Sequence, residues 1–529
     1  MKRKIPLLLK YVLQFIVGVI IGLVIVTTRP PIFASNGNNN VDGRLAQVFD
    51  YIQTLYVDEV EARRLMEVGI RAMTDKLDRH SQFLVGVSRQ ASDERVQGGR
   101  ETIGLSFYLF SDTAFVLNVA LDSPAQKAGI MPGDRIIYID ETLVAGANKN
   151  SQDIENSLRI SADSSIEIKV QRRGIPDLLD IHIEHGRTPI FTVQAAYMVT
   201  EEIGYIRLNA FLATSADEFR TAKEELQRQG MQHLILDLIV NGGGRFTETV
   251  AITDHFLPQN KLIASIKGRN YSRTYMSTDD GNLLTGRVVV LVSERSASGS
   301  EVLAGAIQDW DRGVIVGRRT LGKGAGQRLF PFPNGTQLNL TTRRAFTPSG
   351  RSIEDIYLSD SLRFFTLRNN REVFNGGISP DYYVPNTITY TTRYRTLLLR
   401  RNIPQFVAML YVDENRSELL DRYPNATAFQ NNFQIPTSMI DRLREVAEIG
   451  GIRWENIAWD NPRFERSNRL IVRTMKSHIA AYLFGRSAYF QIMNNDADIF
   501  QAGLRIISNP EKYENLLKGI GGNVNDATN

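Results

Sequence analysis

The chain has no cysteine among its 529 residues. That absence excludes structural disulfides, thiolate nucleophiles, iron–sulfur clusters and cysteine zinc sites. It leaves the compartment open, because an oxidising space permits disulfides without requiring them. No long run of one charge sign appears, and the formal net charge is only +4 against 62 basic and 58 acidic residues. A nucleic-acid partner is therefore not expected. The chain has only six histidines, and none sits in a catalytic signature. His182 and His185 lie on a strand pattern, where residues three apart face opposite sides, so they make a poor metal pair. No metal and no other cofactor is expected. Internal repeats are lacking, and the polar linker Asn36–Asn40 is the one low-complexity tract.

What is present is an ordinary globular composition, 43% hydrophobic and 23% charged. The length exceeds one hydrophobic core and suggests roughly three or four domains. The N-terminus begins Met1-Lys2-Arg3-Lys4, and Tyr11 to Thr28 carries no charge. A helix over that stretch would be about 27 Å long, near the hydrocarbon thickness of a bilayer. The basic cluster before it would stay in the cytoplasm, with the rest of the chain outside. The rival is a cleaved signal peptide ending near Ile32-Phe33-Ala34, but the apolar stretch is long for one. Residues 1–35 are thus expected to be an anchor or signal.

Beyond the linker, Leu45, Val48, Phe49, Ile52 and Leu55 recur at helical spacing. A helical segment is expected over residues 41–97. From residue 98 to 188 the pattern turns to short strands, such as Phe115 to Val119 and Arg135 to Ile139. Strand and helix alternate over 189–385, as in an α/β layer. Leu234 to Leu238 and Val288 to Val292 read as buried strands. Asn334-Gly335 is a hairpin signal. Long helical patterns fill 386–529, read as a separate domain.

Three segments bear chemistry. Ser296-Ala297-Ser298-Gly299-Ser300-Glu301 follows an apolar strand and opens a helix. A serine at such a turn is exposed and close to the positive end of the helix. It still needs a base. Without a suitable histidine, a lysine whose charge is disfavoured by burial can serve, and Lys323 in Leu321-Gly322-Lys323-Gly324 is the candidate. The run Gly317 to Gly324 nearly matches a nucleotide P-loop. However, Gly324 stands where a Ser or Thr must hold magnesium, and Ala325 to Phe330 reads as loop and strand rather than helix. The third segment is Asp237-Leu238-Ile239-Val240-Asn241-Gly242-Gly243-Gly244. Glycines ending a buried strand can aim backbone N–H groups at an oxyanion.

Together these segments resemble the carboxyl-terminal processing, or tail-specific, peptidases. The resemblance rests on Ser296 to Glu301, on Gly322-Lys323-Gly324-Ala325-Gly326-Gln327 and on Asp237, Leu238, Asn241, Gly243 and Gly244. Thr347 to Ile353, Gly377 to Asp381 and Leu77-Asp78-Arg79-His80-Ser81 match further motifs. The resemblance implies Ser298 as nucleophile, Lys323 as base and Gln327 as a residue that positions the lysine. It implies the backbone N–H groups of Gly243 and Gly299 as oxyanion donors. Three departures stand out. Ile239 replaces an Arg and removes a charge beside the glycine turn, Gly299 replaces an Ala and should loosen the backbone, and Arg79 replaces a Pro.

The strand-rich insert resembles a PDZ domain, on Asp122 to Asp134 and on Ile103-Gly104-Leu105-Ser106-Phe107. The resemblance implies a carboxylate loop at Ile103, Gly104, Leu105 and Phe107 that binds a terminal tail as an added strand. Arg159 matches an arginine that couples PDZ domain to protease in relatives. The implied architecture is an α/β protease core with crotonase/ClpP-like layers, an inserted PDZ β-domain, an N-terminal helical segment and a C-terminal helical domain. The implied function is a serine endopeptidase acting on exported or membrane proteins from their C-terminal tails. The expected location is a bacterial inner membrane, with the catalytic domains in the periplasm. The rivals are a catalytically inactive PDZ-bearing binding protein and a P-loop nucleotide hydrolase.

Overall fold

The computed structural model describes residues 43–86, 98–159, 164–278, 284–332, 335–354, 362–386, 392–452 and 462–522. The described residues up to 73 form one compact unit and those from 74 onward the other. In the first, the helix Arg44–Leu55 has no buried residue, and the helix Ala62–Thr74 begins after a short break.

The second unit is organised on a six-stranded sheet. Its order is Val193–Met198, Ile203–Leu208, His233–Asp237, Val288–Val292, Val314–Gly317 and Tyr382–Tyr383. The first pair is antiparallel and the rest are parallel. Side chains alternate across it, as the two-residue period of a strand dictates. Ile206, Leu234, Leu236, Val288 and Val290 face the helices Ser215–Arg228, Phe246–Asp254 and Gly299–Asp309. Tyr205, Ile235, Val289 and Leu291 face the helices Asp498–Ile507 and Pro510–Leu517. Both faces are therefore covered, which parallel strands require.

This differs from the expectation that everything after residue 386 stands apart. Ile499, Phe500, Ile506, Ile507, Leu516 and Leu517 are buried on the sheet, and Tyr513 Oη accepts a bond from Val288 N–H at 3.1 Å. The remaining helices, among them Ile403–Arg422 and Thr437–Ile449, form their own cluster around Phe406 and Phe429.

The PDZ-like segment is a six-stranded antiparallel sheet with Leu105–Phe110 at one end of the strand order. Leu105, Phe107 and Leu109 pack on its core, while Tyr108 stacks on Phe406 of the helical cluster at 4.2 Å. Salt bridges from Arg135 and Arg173 to Asp413 continue that contact.

Three expectations are corrected. Gln82–Val85 is a strand paired with Thr336–Phe346, not part of a helical segment. Its apolar Phe83 is buried there, satisfying two-fold rather than helical spacing. The expectation of a membrane-anchored protein, and with it the inner-membrane location, is overturned: among the described residues no helix is long and apolar enough to cross a membrane. The stretch Tyr11 to Thr28 on which it rested lies outside the described residues, as do Asn36–Asn40 and Asn334.

Candidate active site

The strand Val288–Val292 delivers the chain to the turn before the helix Gly299–Asp309. The serines of this turn have different duties. Ser296 is fully buried, and its hydroxyl donates to Leu238 O at 2.7 Å. Ser300 is also buried, and its hydroxyl donates to Asn241 O at 2.8 Å. Ser298 lies between them, partly exposed, at φ 55° and ψ −110°. A positive φ is unusual for a residue with a Cβ, and such strain is concentrated at functional turns. Two serines lock the turn while the third is presented.

Glu301 was not assigned a role from the sequence, yet it organises the site. It is fully buried. Its Oε2 accepts from Ser298 N–H at 2.7 Å and Lys323 N–H at 2.9 Å. Its Oε1 accepts from Thr320 Oγ1 at 2.6 Å and Gly322 N–H at 2.7 Å. Burial pushes its carboxyl above the usual range, and these bonds pull back. Every partner is a donor, which suits the ionised form. The spacing was visible as Ser-x-x-Glu at a helix start, the capping-box pattern.

The glycine turn lies directly beneath. Asn241 O accepts from Ala297 N–H at 3.0 Å, and Asn241 Nδ2 donates to Leu208 O at 3.0 Å. A Cβ on Gly243, whose φ is +94°, would sit 2.9 Å from Gly299 N and 2.7 Å from Ser298 Cβ, so only glycine fits. Gly243 N–H donates to Asn241 Oδ1 at 2.9 Å, so this expected oxyanion donor is engaged within the turn. Gly299 N–H belongs to the first residue of the helix, where no intrahelical partner exists.

Two departures acquire physical reasons here. A Cβ on Gly299 would sit 2.5 Å from Thr249 Oγ1 and 3.0 Å from the Phe211 ring. The glycine is thus set by crowding, which leaves no room for the alanine methyl. Ile239 packs against the apolar cluster formed with the C-terminal helices, a place unsuited to a guanidinium. A guanidinium reaches the strand end from elsewhere: Arg207 pairs with Asp237, whose Oδ1 accepts from Ile239 N–H at 2.8 Å.

Lys323 is partly buried in the loop entering the strand Ala325–Pro331. A strand stands where a phosphate loop needs a helix N-terminus, which disfavours nucleotide binding. Gln327 lies on that strand, and its amide donates to Ala325 O at 3.3 Å and Thr341 Oγ1 at 3.4 Å. Thr341 Oγ1 donates to Asp78 Oδ1 at 3.1 Å. The segment Asp78 to Ser81 therefore borders the lysine loop. Arg79, the third departure, donates to Gly322 O at 3.0 Å, a contact proline could not make.

In the PDZ-like segment, Gly104 has φ +79°, and Ser123 and Thr188 fill the place a side chain would take. Leu105 and Phe107 are partly buried, whereas Ile103 is only 4% exposed and belongs to the domain core. Ile103 is thus not free to line a tail site. Arg159 is exposed just after the helix Ser151–Ser157, outside the Ser298–Lys323 cluster.

Comparison with known proteins bears on this arrangement. Residues 202–384 match peptidase family S41, residues 102–183 match the PDZ domain, and residues 394–485 match a family of unknown function (DUF8443). The chain is 28% identical over 363 residues to a carboxy-terminal-processing protease of Bartonella bacilliformis, covering 67% of this chain and 82% of the relative. It is 27% identical over 321 residues to the carboxy-terminal processing protease CtpA of Bacillus subtilis, covering 60% of this chain and 68% of that one. A photosystem II D1 C-terminal processing protease of known structure is similar at 27% identity and a TM-score of 0.36, covering 67% of this chain and 89% of that chain. The chain is accordingly a serine peptidase with a PDZ domain and C-terminal helices, and the inactive-binder alternative lacks support.

Proposed function

We propose that this serine peptidase cleaves protein chains after binding their C-terminal tails, with Ser298 as nucleophile and Lys323 as general base. The observation behind the assignment is the Glu301 carboxylate, which fixes the backbones of both residues at once. Neutral Lys323 takes the proton of Ser298 as Oγ attacks the substrate carbonyl. The Gly299 N–H meets the resulting oxyanion, and the Gly243 N–H joins it on leaving Asn241 Oδ1. The protonated lysine then gives its proton to the leaving amine, and water releases the acyl-enzyme. Gln327 supports the strand that carries the lysine loop. The two helical layers around the parallel sheet fit a crotonase/ClpP-like arrangement.

The tail would add to the edge strand Leu105–Phe110, with the Gly104–Leu105 backbone at its carboxylate and Leu105 and Phe107 favouring an apolar last residue. Arg159 is the proposed link from this domain to the core. The deciding experiment compares one substrate chain ending in a free apolar residue, in its amide, or in Asp. The free apolar tail should be cleaved much faster at sub-saturating concentration, and Ser298→Ala should abolish cleavage of all three. Equal rates for the three tails would refute tail selection.

A further inference from the structure

The PDZ domain leaves and rejoins the core through a short stem. Gly99–Glu101 pairs with Arg187–Pro189, and Ile190 N–H donates to Gly98 O at 2.9 Å. A domain on such a stem is expected to swing unless a second, apolar contact holds it. The C-terminal helices supply that contact. The strand Leu105–Phe110 turns Leu105, Phe107 and Leu109 into the PDZ core, and Tyr108 and Phe110 to the other face. There three PDZ rings meet Phe406, which is fully buried: Tyr108 at 4.2 Å, Phe110 at 5.3 Å and Phe115 at 5.4 Å between centroids. A polar rim gathers on one carboxylate. Arg135 pairs with Asp413 at 3.2 Å and Arg173 pairs with it at 3.1 Å, while the Arg135 guanidinium also lies over the Phe115 ring.

The same helices grip the catalytic sheet. Tyr482 Oη donates to Leu117 O of the PDZ domain at 2.7 Å. Five residues later (487 minus 482), Ser487 Oγ accepts from Ala196 N–H and donates to Ala196 O, each at 3.2 Å. Asn494 Nδ2 donates to Tyr197 Oη at 2.9 Å, and the Phe490 ring lies under Arg207 at 4.7 Å. One short stretch of chain thus ties the PDZ domain to an edge strand, Val193–Met198, of the sheet that leads to Ser298.

We propose that the helical segment matching the family of unknown function, residues 394–485, is a seat that fixes the PDZ domain at one distance from Ser298, so that a tail-bound substrate is cut no closer to its end than a set number of residues. This deepens, and rests on, the tail-binding reading given above. An extended chain spans at most about 3.6 Å per residue. A fixed gap between the tail site and Ser298 therefore sets a minimum length of substrate. A PDZ domain able to swing would also sample shorter gaps and permit cuts nearer the end. The limit is one-sided, because the cost of closing a longer loop grows slowly with its length.

The chain has no cysteine, so Glu141→Cys in the PDZ domain and Gln227→Cys in the core, both at exposed positions, give a spin-label pair without background. Their distance distribution should be narrow in the otherwise unaltered protein. It should broaden in Phe115→Ala with Asp413→Arg, which takes one ring off Phe406 and sets a cation against Arg135 and Arg173. Asp413→Arg alone disturbs the fold less and should broaden it to a smaller degree. A broad distribution in the unaltered protein, or one unchanged in both variants, overturns the proposal. Mass spectrometry of the products gives the second measurement. Across substrates with free apolar tails, the C-terminal fragments from the wild type should share one shortest length, and the variants should release shorter ones. An unchanged shortest length also overturns the proposal. If the wild type instead cuts free and amidated tails at equal rates, tail selection fails, and the spin-label distances alone decide whether the seat stands.

Discussion

The Ser298 and Lys323 backbones converge on one carboxylate oxygen, Glu301 Oε2. The proposed nucleophile and base come from segments 25 residues apart (323 minus 298), and their backbones are tied to each other through this atom. Glu301→Gln should therefore hurt catalysis more than substrate binding. An amide keeps one acceptor oxygen and turns an NH₂ toward N–H donors that it cannot satisfy. The expected result is a fall in kcat of about 100-fold or more with KM little changed, since misplacement of reacting groups costs rates of that order. Steady-state kinetics on one substrate would check it.

The serines should separate by assay. Ser298→Ala should lose cleavage and labelling by a serine-directed phosphonate while keeping the wild-type melting temperature. Ser296→Ala should keep labelling but lose about 1–3 kcal/mol of stability, because Leu238 O and Ser293 N–H lose a buried partner. Loss of labelling in Ser296→Ala with normal labelling in Ser298→Ala would reverse the assignment.

Lys323→Arg should be as damaging as Lys323→Ala. Arginine retains the charge but does not surrender its proton in a protein, so it cannot take one from Ser298. Initial rates of the three proteins across neutral to alkaline pH decide the matter.

Asp78 should give a pH signature in stability rather than in rate. Burial pushes its carboxyl up, but bonds from His80 N–H, Ser81 N–H and Oγ, and Thr341 Oγ1 outweigh it and leave the group below its usual value. A depressed acid contributes stability that is complete above its unfolded-state pKa and is lost as pH falls through the native one. Asp78→Asn should therefore melt well below wild type near neutrality, with the gap closing below about pH 4. Thermal unfolding at neutral and acidic pH would test this, and a gap independent of pH would refute it.

The site motifs were legible because chemistry demands particular residue types at short range. Ser298, Lys323 and the glycine turn each sit in a local pattern that survives without knowledge of the fold. What escaped were contacts between distant segments. Glu301 looked like one end of a motif, and only the fold shows its second oxygen reaching Thr320 and Gly322. Gly299 looked permissive until Phe211 and Thr249 closed around it. Gln82 to Val85 followed a helical run too closely for its two-residue period to register. The helix Asp498–Ile507 showed its apolar stripe in the sequence, but no sequence pattern named the sheet it covers.

That last arrangement has a consequence for how the enzyme comes to life during synthesis. The strand Ile203–Leu208 emerges early, yet the side chains on one of its faces are buried by residues 499–517. A nascent chain already bearing Ser298 and Lys323 still has Val289, Leu291, Val314 and Val316 without their cover. That face of the core gains its apolar cover only from these late helices, so the sheet's burial is complete only once translation has passed residue 517.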